Sequence, residues 1–187
     1  MTGTRHTDDN SLDCLAAALA YRARGWPVVP AAVHGKRPIV RWQAFQNQLP
    51  EEETIRGWFT RWPNANVAIV TGAISGIVVL DVDAKHDGDK SLKSLEDRHC
   101  PLPYTVEATT GGGGRHIYFV HPGHEVRNRA GMAPGLDLRG DGGVIRAVGG
   151  GVGAMDPRIG PRRARWARKP PSARRVVLGL MVLAACL

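Results

Sequence analysis

At 187 residues, 43% hydrophobic and 22% charged, the chain has the length and make-up of one globular domain with room for an appendage. Cys14, Cys100 and Cys186 form no CxxC or Cys/His cluster, which argues against a zinc site and a disulfide scaffold; with a polar start and no run of the ~18 apolar residues that span a membrane, a cytoplasmic protein is expected. The formal net charge of +8 lies wholly in residues 144–187, where nine Lys and Arg face only Asp156, so no overall basic field argues for a polyanion partner of the neutral body.

The first element reads as a helix over 10–25, capped by Asn10 or Ser11, with Leu12, Leu15, Ala16 and Leu19 on one face and Gly25 closing it. A short strand follows at 26–30, then a loop at 32–42 with a Gly-Lys-Arg-Pro core that contains Lys36. Residues 49–63 predict a second helix, with Pro50 at its first position and Glu51, Glu52 and Glu53 at the positive end of the dipole. Its stripe of Ile55, Trp58, Phe59 and Trp62 is read as core packing. Strands at 66–70 and 76–83 join through a Gly/Ser turn, and residues 89–99 are helical with Leu92 and Leu95 inward. Strands at 104–110 and 116–120 flank a glycine run, and 135–148 gives one more strand and a turn into another. This order predicts an α+β fold with a mixed or antiparallel sheet.

Chemistry gathers at three places. The greasy run Ile77 to Leu80 ends in Asp81, Val82 and Asp83. Residues i and i+2 of a strand share a side, so Asp81 and Asp83 face one way and Val82 the other. Paired carboxylates repel unless a cation neutralises both, and Mg2+ or Mn2+ suits all-oxygen ligands. A solvated strand end is the plain alternative, and a calcium loop starting at Asp83 fails because Lys85 and Ser94 would fall at ligand positions. The second place is Gly111 to His116, where glycines allow backbone N–H groups to approach a phosphate. Neither a Walker loop nor a dinucleotide fingerprint fits, since no Gly-Lys-Ser/Thr follows and a strand comes next. The third is Asp137, between Leu136 and Leu138 on a short strand and so pointing opposite to both. Three strand-borne acids, a histidine and scattered cations suit phosphoryl transfer with two divalent ions.

The stretches VVLDVD, GGGGRHIYF and GLDLRGDGG, in that order, resemble the three motifs of the primase–polymerase domain of bifunctional DNA primase/polymerases, over roughly residues 12–145. The resemblance implies an N-terminal αβ unit packed on an RRM-like catalytic sheet, and template-directed nucleotidyl transfer in replication of a plasmid, phage or integrated element. It implies that Asp81, Asp83 and Asp137 bind two Mg2+ or Mn2+ ions and that His116 contacts the nucleotide phosphates. Gly113, Gly114, Arg115 and Arg139 flank these positions and are candidates for phosphate contact, and Lys36 is a further candidate for nucleotide or template contact. Implied partners are nucleoside triphosphates, a single-stranded DNA template and a replicative helicase encoded separately. The sequence departs from the family at Gly114, where a small hydroxyl residue is usual, and after residue 148. There the segment 149–187 reads as a frame-shifted or truncated end, a basic arm for nucleic acid, or a buried terminal element. Two other functions stand beside the first: a non-catalytic single-strand-binding module, disfavoured by acids on the binding face, and a metal-dependent phosphohydrolase or nuclease.

Overall fold

The computed structural model describes residues 5–33 and 35–147, with side chains from Cys14 onward. The readings of Leu12 as a core residue and of 149–187 as a basic tail therefore lie outside the described residues.

Helix α1 (Arg5–Arg22) starts five residues before the expected cap, so Asn10 and Ser11 fall within it. Strand β1 (Val28–Ala31) leads through the Lys36 loop to α2 (Glu52–Arg61), whose N-cap is Glu51, placing Pro50 just outside the helix rather than at its first position. Strands β2 (Asn66–Val70) and β3 (Ile77–Val82) precede α3 (Gly88–Arg98). Strands β4 (Val106–Thr109), β5 (Arg115–Val120), β6 (Arg129–Ala133), β7 (Leu136–Arg139) and β8 (Val144–Arg146) complete the order. Among the described residues no helix is long and apolar enough to cross a membrane.

The strands form two sheets, β1-β2-β8 and β4-β5-β3-β7-β6, in which every named strand pair is antiparallel. The α+β expectation holds, with the mixed alternative settled toward antiparallel. The chain lays down β1 and β2 in the smaller sheet, builds the larger one, and returns with β8 beside β2.

Strand β3 is central in the larger sheet and buried along its whole length. Its sequence is apolar on both sides because both faces of the sheet are covered. Val78, Leu80 and Val82 pack with Leu92 of α3 and with Ile117, Phe119, Leu136 and Leu138. Ile77 and Val79 point the other way, into a core shared with Tyr118, with Cys14, Ala18 and Tyr21 of α1, with Ile55 and Phe59 of α2, and with Val28 and Ile69 of the smaller sheet. Trp58 and Trp62 are partly buried against this same core, as the packing reading of the α2 stripe requires.

Candidate active site

The alternation that buries Ile77 and Val79 carries Asp81 to the same side, at the rim of the shared core, where it is 9% exposed. The register then fixes its neighbours. Asp81 stands opposite His116 of β5 on one side and Asp137 of β7 on the other. Directly opposed residues of antiparallel strands share a face, with Cα atoms about 4.5–5.5 Å apart. Three strands thus place His116, Asp81 and Asp137 in one row. Arg139, two residues beyond Asp137, lies on the same face, opposite Val79.

Asp83 sits one residue past the end of β3. Its N–H donates to the Gly135 carbonyl at 2.8 Å, and its own carbonyl accepts from Gly88 N–H at 2.9 Å. Gly88 and Gly135 permit this crossing: a Cβ on either would lie within 2.8 Å of Asp83 backbone atoms, and Gly135 has φ of 67°. Two glycines thereby pin the strand tip to the start of α3 and the turn before β7.

Lys36, Asp81, Asp83 and Asp137 line one cleft of about 930 Å³, together with Lys85, His86, Asp87 and the 131–135 segment. Each acid has a basic partner. Lys36 Nζ lies 3.8 Å from Asp81 Oδ2, and His116 Nε2 lies 3.5 Å from Asp81 Oδ1. His86 Nδ1 donates to Asp83 Oδ2 at 2.8 Å, and Lys85 N–H donates to Asp83 Oδ1 at 3.0 Å. Arg139 donates to Asp137 Oδ2, and Gly131 N–H donates to Asp137 Oδ1 at 2.7 Å. Burial pushes the Asp81 carboxyl up, but the His116 hydrogen bond and the charges of His116, Lys36 and Arg139 outweigh it and hold the group below its usual range. The His86 hydrogen bond, with that of Lys85, does the same for Asp83.

The donor set fits a divalent cation by its chemistry: three hard carboxylate groups line one cleft. Among the described residues, however, no three acidic, histidine or cysteine side chains converge as a ligand group. Each acid is instead turned toward its own cation or N–H.

The remaining expected residues divide. His116 is 5% exposed and stands behind Asp81, with Nδ1 buried and unpartnered, so it meets the acid rather than the open cleft. Gly113, at φ of 84°, and Gly114 form the turn beside the strand tip, where Gly113 N–H donates to the Thr110 carbonyl at 2.9 Å. A Cβ on Gly114 would collide with the Val82 carbonyl and lie 3.4 Å from Asp83 Cα, which explains glycine there in place of a hydroxyl residue. Arg115 is not brought to the cleft. It stands opposite Val82, on the α3 side, and bonds Asp89 at 2.8 Å and Glu107 at 2.9 Å.

The sequence reading passed over His86 and weighed Lys85 only against a calcium loop, although their place in a turn directly after Asp83 marks both as its neighbours. It also passed over Asp141, which accepts from Ala73 N–H and Val126 N–H, each at 2.8 Å, and faces His121 Nε2 at 3.2 Å. That carboxylate ties the β2–β3 turn to the segment before β6.

The family model of the N-terminal domain of bifunctional DNA primase/polymerases matches residues 18–177. The match takes in every residue of the cleft and continues past residue 148 into the basic segment. A comparison with curated proteins gave no match.

Proposed function

Because the chain belongs to the bifunctional DNA primase/polymerase N-terminal family, whose activity is nucleotidyl transfer of the primase/polymerase type, we propose that it makes and extends primers on a single-stranded DNA template. Asp81, Asp83 and Asp137 would hold two Mg2+ or Mn2+ ions in the cleft. Bound there, such ions supply charge neutralisation for the triphosphate and for the attacking and leaving oxygens.

The chain's own residues do the rest. Lys36 and Arg139 are basic side chains beside the acids, suited to phosphate oxygens. His116 orients Asp81 from behind, and its burial keeps that contact dry, where electrostatic interactions are stronger than in water. The pinned tip of β3 holds Asp83 near Asp81. On this reading the setting is replication of a plasmid, phage or integrated element, with nucleoside triphosphates as substrates and a helicase encoded separately.

The observation that carries the proposal is the row of His116, Asp81 and Asp137 across three strands, with Asp83 at the tip of the central one. The test is incorporation of labelled nucleotides with single-stranded template and Mg2+ or Mn2+, beside an Asp81→Asn variant. Incorporation by the wild type should fall roughly 10²- to 10³-fold in the variant, the scale of losing one charge-stabilising group at a reacting centre. Shortening of the template would instead favour a nuclease. Template binding without metal and without product would favour a binding module.

A further inference from the structure

Two acids of the cleft, Asp81 and Asp137, already have a counter-cation within it. Lys36 reaches Asp81 from an exposed loop, at 3.8 Å and with 74% of its side chain in solvent, so it is held loosely. Arg139 lies on Asp137 from the next inward position of β7. Both are basic side chains, and neither has an acidic partner elsewhere among the described residues. A divalent ion entering this cleft alone meets, at Asp81 and Asp137, carboxylates whose charge Lys36 and Arg139 already offset. Like charges at such distances oppose binding even through partial solvent screening. A triphosphate changes the balance, because its oxygens offer both cations a better partner. Lys36 has a flexible stem that can swing to it, and the planar fork of Arg139 matches phosphate geometry.

We propose that Lys36 and Arg139 are exchangeable counter-cations, resting on Asp81 and Asp137 until nucleotide is present and then turning to its phosphates, so that divalent ions and nucleotide bind cooperatively. The inference rests on the nucleotidyl-transfer reading above. Linkage makes the coupling reciprocal: whatever nucleotide does for ion affinity, ions do for nucleotide affinity.

The exchange predicts effects of opposite sign from one substitution. Mn2+ alone would be titrated into the full chain and the free-ion electron paramagnetic resonance signal followed. Separately, a fluorescent, non-cleavable deoxynucleoside triphosphate analogue would be bound at saturating Mn2+ and read by anisotropy. In Lys36→Gln, Mn2+ alone should bind about three- to tenfold tighter, and the analogue should bind weaker by a similar factor, the scale of one partly screened charge contact. Arg139→Gln should repeat both signs, with thermal melts of both variants showing the native transition. Lys36 is exposed, so its variant carries the test if Arg139→Gln misfolds.

Weaker analogue binding with Mn2+ affinity unchanged would make Lys36 a simple phosphate contact and overturn the exchange, leaving nucleotidyl transfer standing. Weakening of both ligands would assign it a structural role and overturn the exchange equally. Failure of the wild type to bind Mn2+ with or without the analogue would overturn the exchange and the underlying function together.

Discussion

Asp141 shows how one side chain can hold loops around a site it does not enter. Burial pushes its carboxyl up, but the Val126 and Ala73 N–H groups and His121 outweigh this and hold it below the usual range. His121 accepts from Gly123 N–H on Nδ1 at 3.2 Å, which leaves Nε2–H to donate to Asp141. A group whose folded value is depressed contributes stability that is full above its unfolded value, about 3.9, and is lost as pH falls through the folded value. Asp141→Asn should therefore lower the melting temperature at pH 7 and flatten the acid limb of the stability profile. The two proteins should converge toward pH 2 in thermal melts, because protonated Asp141 is then as neutral as the amide. At this scale Arg115 and Arg139 are instructive as well. Their placement was legible in the chain: a residue adjacent to His116 in a strand points away from it, and one two places from Asp137 points with it. Arg115 accordingly pairs across the α3 side, and Arg139 joins the acids.

At the scale of elements, the glycine turn between β4 and β5 packs by backbone. Gly114 rests against the Val82 carbonyl and Thr110 Oγ1, with no room for a Cβ. Gly114→Ser, although it would restore the hydroxyl usual in the family, should destabilise by about 1–3 kcal/mol, the cost of overpacking. For a chain of this size that corresponds to a melting temperature lower by roughly 2–12 °C. An unchanged melt would show that the turn can move off the strand tip. The strands themselves were mostly readable. The run from Ile77 to Val82 announces a doubly covered strand, and the alternation across Leu136, Asp137 and Leu138 fixes which side the acid takes. Strand β6 was not readable, because Arg129, Ala130 and Gly131 have little strand preference; the pairing with β7, interrupted by a bulge, makes that strand. The early start of α1 was hidden for a related reason: Asn10 and Ser11 carry a cap signal that the helix runs through.

At the scale of the whole molecule, the two sheets are stitched together by the path of the chain. The strands before β3 and the last described strand belong to one sheet, and the strands between, β3 to β7, belong to the other. The site row stands on a core that both sheets and two helices build, so neither part is self-sufficient. A fragment of residues 75–147 keeps the acids but exposes Ile77, Val79, Ala108 and Tyr118 on one side. It should show no cooperative unfolding by circular dichroism, whereas the full chain should melt in a single transition. A cooperative melt for the fragment would mean that the larger sheet folds without its cover. The two-sheet architecture was only half legible, since strand order and sheet membership depend on pairings between distant segments that no local pattern encodes.

Counting matters in β3 as it does not in the loops. If pairing stays anchored at Ile77 and Val120, loss of one residue before Asp81 would press the acid into the oily layer beneath α3 and turn a valine toward the cleft. Drift in length is barred from the four positions that lead to the acid. The chemistry is thus protected less by the identity of those aliphatic residues than by their number.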